Sequence, residues 1–357
     1  MTSAREAAYR VVRRVAEQGA YADRAFDAET SGLDQRDRAF AQQLAYGTIQ
    51  RQGALDHVIE TFVERPPPPD ARAALQLGLY QLLFLGGVAD HAAVSESVEL
   101  VKATRAAGMV NAVLRRITRE GFAFPADDTP AGAAIRHSHP LWVVELWWDW
   151  IGPDETRALL QANNEPPERS ERIAPNGVVV HQSRASQLVA EIVDPQPGER
   201  VLDLCAAPGN KTTQLAALMG NRGEVVAYEK HPGRAQALAK RAIELDAPIV
   251  KVVAEDAATA NGRFDRVLLD PPCSGLGTLA RHPDLRWRMT PERVTGLIAE
   301  QRRLLEVAVR CVAPGGRLVY SVCTLNPAEE HLRDAETTRT WPHKDGTDGF
   351  AIACSDA

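Results

Sequence analysis

The stretch Val201–Thr213, VLDLCAAPGNKTT, restricts the fold of this 357-residue chain more than any other. Val201, Leu202 and Leu204 make a short apolar run. Ala206, Ala207, Pro208 and Gly209 then form a turn, and helical spacing begins at Lys211 and runs through Leu215, Leu218 and Met219. A strand–turn–helix of this kind opens a doubly wound α/β domain, whose ligands sit outside the carboxyl ends of the strands. Small turn residues let the backbone approach a ligand closely, and the helix N-terminus presents N–H groups. Alone, this is a moderate signal for a nucleotide-like ligand. Two later segments sharpen it: LLDPPCSG at Leu268–Gly275 and YSVCT at Tyr320–Thr324, each with a cysteine just past an apolar strand.

The rest of the C-terminal half alternates in the same way. Strands are predicted at Val201–Leu204, Gly223–Tyr228, Ile249–Val253, Phe264–Leu269 and Gly316–Ser321. Helices are predicted at Gln187–Val193, Pro232–Leu245 and Pro291–Cys311. Such βα alternation means a mostly parallel sheet with helices on both faces.

Residues 1–120 read as a helical bundle, because strand signals are absent and apolar residues recur at helical spacing in Ala4–Val15, Asp37–Gly47, Ala54–Phe62, Ala71–Leu85, Val94–Ala103 and Met109–Ile117. The Pro-, Ala- and Asp-rich run Phe122–Gly132 reads as a linker. His139–Trp150, dense in tryptophan, reads as a helix that docks by core packing, with a base-stacking platform as the alternative. The domains expected are therefore 1–125 helical, 126–186 linker and lead-in, and 187–357 α/β.

The net charge of −6 argues superficially against a nucleic-acid partner. Most of it comes from residues 121–170, with 3 basic and 8 acidic side chains, so a local basic groove elsewhere is not excluded. Five cysteines without paired spacing argue against a disulfide framework and for a reducing, cytoplasmic setting. No apolar run is long enough for a membrane span, and no signal-peptide core is present.

Glu229, Asp256 and Asp270 each follow a predicted strand and so converge near the Val201–Thr213 turn. Glu229 stands where a carboxylate accepts hydrogen bonds from a ribose diol. No G-x-G-x-x-G is present, which favours S-adenosylmethionine, with a ribose but no pyrophosphate, over a dinucleotide. For any one of these carboxylates, capping the next helix is the alternative role. Cys273 and Cys323 follow adjacent strands and would face one pocket. Cys205, Cys311 and Cys354 read as packing residues, and no Cys or His pair has metal-ligand spacing, so no metal is expected.

Within these segments, DLCAAPGNKT, LLDPPCSGLGTLARHPDLRW and YSVCTLNPAEE resemble the signature motifs of RNA cytosine-5 methyltransferases. RDRAFAQQLAYGTIQRQGALDHVI, LQLGLYQLLFL, HAAVSESVELVK and NAVLRRI resemble the NusB-type RNA-binding fold. The resemblance implies a NusB-like helical bundle followed by a Rossmann-like methyltransferase sheet. It also implies S-adenosylmethionine as cofactor and 16S ribosomal RNA as substrate, with transfer RNA as the alternative. A catalytically weakened RNA-binding module is a further reading, and action as a monomer is expected. By the same resemblance Cys323 is the nucleophile, Cys273 assists product release, and Asp270 holds the base edge. Thiol chemistry alone leaves open which cysteine attacks. Cys205, Ala206, Ala207, Pro208, Gly209, Asn210 and Lys211 would form the cofactor turn, with Glu229 at the ribose, Asp256 at the adenine and Asp270 at the methionine end. Arg281, His282, Arg286 and Arg288 are the expected phosphate contacts, with Trp287 stacking or packing beside them. Asn111, Arg115 and Arg116 are the RNA-contact candidates of the bundle. Asn210 replaces a second glycine of the family motif, and Glu165–Ser186 is shorter than its counterpart in the family.

Overall fold

The computed structural model describes residues 3–332 and 335–357. The chain divides into two units, one of residues 1–164 with 282–288 and one of residues 165–281 with 289–357.

The first unit is helical, as its apolar spacing predicts. Its centre is the helix Pro69–Leu83, which buries residues on every side, Leu75, Leu77 and Leu79 among them. Complete burial of such a side chain is worth about 1.5–3 kcal/mol. The helix Ala107–Glu120 turns Val110, Val113, Leu114 and Ile117 inward and leaves Arg115 and Arg116 exposed. There Arg115 bonds Asn111 (2.8 Å) and Arg116 pairs with Glu120 (3.0 Å).

Residues 126–186, expected as linker and lead-in, hold more helix than the single one read at His139–Trp150. They carry helices at Pro130–His137, Leu141–Ile151 and Pro153–Ala162, and the unit boundary falls only after Asn164. Proline-rich starts mislead here because proline is well accommodated in a first helical turn. Thr129 caps the first of these helices through the Gly132 N–H, and Trp147 of the second is fully buried and serves packing, while Trp142, Trp148 and Trp150 are half-buried.

Between two stretches of the second unit the chain contributes His282–Arg288 to the helical unit. Arg286 is fully buried there. Its guanidinium donates to the carbonyls of Gln50 (3.2 Å), Ser138 (3.0 Å) and Asn163 (3.0 Å) and to Asn164 Oδ1 (3.0 Å). Arg288 donates to the carbonyls of Gly19 and Ala20 and stacks over Tyr21 at 3.9 Å. Trp287 bonds the Ile49 carbonyl at 2.7 Å. The expected phosphate role is therefore corrected for Arg286 and Arg288, since their donors satisfy protein carbonyls. Helix C-termini leave such carbonyls without internal partners. Only His282 of this segment's expected contacts is exposed.

The second unit holds a seven-stranded sheet and a small hairpin, β1 (Glu171–Ile173) with β2 (Val179–His181). The sheet strands are β3 (Arg200–Asp203), β4 (Glu224–Tyr228), β5 (Val250–Val253), β6 (Phe264–Leu269), β7 (Val312–Val322), β8 (Glu336–Thr340) and β9 (Phe350–Asp356), in the order β5-β4-β3-β6-β7-β9-β8. Strands β3 to β7 pair in parallel, while β9 and β8 add antiparallel to the β7 edge. The sequence pattern does not announce this antiparallel pair, because β8 (ETTRT) has no apolar alternation.

Candidate active site

Parallel pairing brings the carboxyl ends of β3, β4, β6 and β7 to one edge of the sheet. After β3 the turn is tied to its neighbours by Leu204 N–H to the Leu268 carbonyl and Ala206 N–H to the Tyr228 carbonyl, both 3.0 Å. Gly209 closes the turn at φ +102°, just before the helix Asn210–Leu218. A Cβ there would also lie 2.4 Å from Leu238 Cδ1, so glycine is required on both counts. Asn210 is the first residue of that helix, with its Oδ1 accepting from Arg241 at 2.6 Å. Because Gly209 alone carries the left-handed geometry, asparagine at 210 introduces no backbone strain.

Asp203, at the end of β3, is buried and accepts from Thr212 Oγ1 at 2.8 Å. Burial pushes its carboxyl up from the ordinary 3.8 to about 6. The proton is thus held more tightly in the folded chain than in the unfolded one. The stability this contributes is complete below pH 3.8 and is lost as pH rises through 6. Asp203→Asn, which keeps an acceptor for Thr212, is therefore expected to stabilise the chain at pH 8 by up to about 3 kcal/mol, from 1.36 kcal/mol per pKa unit. At pH 5 the gain should shrink, and paired urea titrations at the two pH values measure the difference.

Glu229 closes β4 nearly buried. It accepts from the His231 N–H at 2.9 Å and pairs with Arg234 at 3.3 Å, and Arg234 also donates to the Ala207 carbonyl of the turn. Asp256 takes the alternative role of a strand-end carboxylate. It caps the turn Ala257–Thr259 through the Ala258 N–H (2.8 Å) and pairs with Arg303 (3.2 Å), and these contacts hold its carboxyl below the usual range.

Asp270, just after β6, is bridged on both oxygens. Lys211 Nζ lies 2.6 Å from Oδ2, and Ser321 Oγ donates to Oδ1 at 2.9 Å. Burial works against the Lys211 ammonium, but Asp270 outweighs it and raises the pKa, with Cys323 adding in the same direction. The ammonium also sits 5.2 Å from the centre of the Phe350 ring. Sequence reasoning missed Ser321 and Phe350. The first stands inside YSVCT, and the second reaches the site only because β9 pairs with β7.

Cys273 Sγ and Cys323 Sγ are 3.3 Å apart. The hydrogen bond to Cys323, followed by burial, lifts the Cys273 thiol well above its ordinary pKa, and the Asp270 charge adds to the rise. Lys211, Asp270, Cys273 and Cys323 thus form one electrostatically connected cluster. Cys205, half-buried in the turn, has its thiol pushed up by burial, while Cys311 sits in the core and Cys354 on β9. Arg281 is half-buried, with donors on Asp348 and the Glu168 carbonyl, both at 3.3 Å. Among the described residues no group of three His, Cys, Asp or Glu side chains could hold a metal ion, and no helix is long and apolar enough to cross a membrane.

The cluster's donor set suits S-adenosylmethionine. The Glu229 carboxylate is an acceptor for a diol, the glycine turn allows close approach, and the Asp270 carboxylate favours a sulfonium cation.

Comparison with known proteins agrees in both halves. The model of the 16S rRNA methyltransferase RsmB/F family matches residues 190–336, and that of the NusB family matches residues 2–119. The chain is 36% identical to a probable ribosomal RNA small subunit methyltransferase B of Synechocystis, over 96% of this chain and 92% of that one. It is also 36% identical to ribosomal RNA small subunit methyltransferase B of Thermus thermophilus, over 83% of this chain and 77% of that one. The Synechocystis alignment spans 408 positions, more than the 357 residues here, so that relative carries segments without a counterpart in this chain. In fold, the chain is similar to the crystal structure of PH0851, with a TM-score of 0.80, 24% identity, and 99% and 98% of the two chains covered.

Proposed function

The chain belongs to the 16S rRNA methyltransferase RsmB/F family, and on that footing we propose a specific reaction for it. It is an S-adenosylmethionine-dependent RNA methyltransferase. The reaction is methylation of carbon 5 of a cytosine in small-subunit ribosomal RNA, through a transient bond between Cys323 and carbon 6 of that base.

Carbon 5 of cytosine is a poor nucleophile. Addition of the Cys323 thiolate to carbon 6 forms an S–C bond and moves the C5=C6 electron pair toward carbon 5, making it enamine-like. Asp270, steadied by Lys211 and Ser321, accepts from N3 at the base edge once the adduct is protonated there, and so stabilises it. S-adenosylmethionine, when bound at the β3 turn and Glu229, supplies the methyl group. Cys273 then assists loss of the carbon 5 proton. The C5–H pair restores the double bond, and the S–C6 pair returns to Cys323. One methyl group enters and one proton leaves. A free thiol ionises near pH 8.5, so only a few per cent is thiolate at neutral pH unless its site intervenes. The target base must leave any stack to reach both sulfurs, at a cost of a few kcal/mol unless it is already unpaired. Arg115 and Arg116, with exposed His282 and half-buried Arg281, are the contacts proposed for the RNA backbone.

The observation that carries this reading is the 3.3 Å approach of two thiols from adjacent strand ends, beside the Asp270–Lys211 pair. Bisulfite sequencing of ribosomal RNA from cells with and without this protein tests it. The expected result is one small-subunit cytosine that resists conversion only when the protein is present. Protection confined to transfer RNA would redirect the substrate assignment. Methyl transfer to RNA with no protected cytosine at all would overturn the carbon 5 chemistry.

A further inference from the structure

Cys273 lies on a loop four residues past the end of β6 at Leu269, and Cys323 directly follows the end of β7 at Val322. Each cysteine is followed by a hydroxyl residue, Ser274 and Thr324, and both of these are fully buried. The two hydroxyl oxygens lie 2.6 Å apart, and both donate to Glu329 Oε1, Thr324 at 3.0 Å. Glu329 Oε2 accepts from the Ser274 N–H at 2.8 Å and from Gln301 Nε2 at 3.0 Å. The same Gln301 amide donates to the Pro272 carbonyl at 3.0 Å, just before Cys273.

Glu329 itself has no exposed surface. Its backbone is fixed twice: Asn326 caps the turn Pro327–Glu329, and the Tyr320 hydroxyl donates to the Glu329 carbonyl at 2.8 Å. One carboxylate therefore receives donors from the residue after each thiol. A carboxylate only accepts, so its two oxygens can gather the four donors without competition among like groups. An apolar replacement would leave buried donors unpaired and the loops free to separate.

We propose that Glu329 is a positioning residue, a clamp that joins the Ser274 and Thr324 loops and so sets the distance between the Cys273 and Cys323 sulfurs. Its importance for turnover rests on the reading that these are the working thiols. Its effect on geometry does not. A second tie, Gly277 N–H to the Cys323 carbonyl at 3.0 Å, joins the same two loops.

Phenylarsine oxide tests the clamp on the full chain. It condenses with two neighbouring thiols, releasing one water, only where both sulfurs reach the same arsenic atom. Wild type should lose a pair of titratable thiols at stoichiometric reagent, and Cys273→Ser should not; Glu329→Gln, whose amide nitrogen meets donors where a carboxylate oxygen accepted them, should need more reagent than wild type. For Glu329→Ala, the reagent needed should rise about tenfold, equivalent to 1.4 kcal/mol. In the same variant kcat should fall by roughly 100-fold, the scale of a 1 Å misplacement, with KM for RNA unchanged. Thr324→Val removes only one donor and serves should Glu329→Ala not fold; it should shift capture and kcat the same way. Capture and kcat at wild-type levels in both variants would overturn the clamp. Altered capture together with methyl transfer that survives Cys323→Ala would support the clamp and instead remove the proposed mechanism.

Discussion

Cys323→Ala is expected to lower methyl transfer to RNA by at least about 10⁴-fold, the scale on which loss of a covalent nucleophile acts in other enzymes. Transfer of a tritiated methyl group from S-adenosylmethionine measures it, and folding is checked by thermal melting. The change should leave stability almost untouched, because the Cys323 sulfur is half-buried and its hydrogen bond goes to the Cys273 thiol. Cys273→Ala should behave differently. The sulfur that attacks is intact, but the group beside it that assists proton loss is gone, so an RNA–protein adduct should accumulate and survive denaturing electrophoresis. Retained transfer in Cys323→Ala, with adduct in neither variant, would assign the attack elsewhere. The reverse pattern, transfer lost and adduct gained when the residues are exchanged, would name Cys273 as the nucleophile.

Arg286→Ala is expected to destabilise the helical unit by about 3–5 kcal/mol, because several buried acceptors lose their donor at about 1–3 kcal/mol each. Arg286 is fully buried and bonds four acceptors around the chain turns after helices that end at Gln50, His137 and Ala162. The last carbonyls of a helix carry partial negative charge, which accounts for a buried cation whose bonds go to carbonyl oxygens. Burial, with repulsion from Arg51 second, lowers the guanidinium pKa to about 9, still charged at neutral pH. Arg286→Lys should recover only part of the loss, because an ammonium cannot present the planar fork that reaches separated acceptors. Urea denaturation of the three proteins measures the order. Wild-type stability in Arg286→Ala, with weakened RNA binding, would return this arginine to the phosphate contacts.

These two residues mark where sequence reading holds and where it stops. The helix Pro291–Cys311 and the strand Phe264–Leu269 were predicted with the boundaries observed. Both announce themselves locally, the helix by Thr290 capping the Arg293 N–H before Pro291, the strand by Phe264 and the apolar run Val267–Leu269. The thiol pair was legible too, since adjacency of β6 and β7 follows from βα alternation and carries Cys273 and Cys323 together. Arg286 was not. It follows the DPPC turn closely, as a phosphate contact would, yet its acceptors begin 236 positions away at Gln50. Glu329 stands inside YSVCTLNPAEE without a local signal of its role, because its function as an acceptor depends on donors from three separate segments.

By itself the sequence determined the helical first half, the parallel sheet of the second, and the order of the turn, the carboxylates and the two cysteines along its edge. Periodicity and turn chemistry are local, and topology rules carry them to that edge. The tertiary structure alone decided which arginines are consumed by helix ends, which glycine takes the left-handed turn, how β8 and β9 extend the sheet, and which carboxylate holds the sulfurs 3.3 Å apart. Those outcomes depend on where a buried donor finds its acceptor, and that partner comes from whichever distant segment the packed chain brings within hydrogen-bond reach.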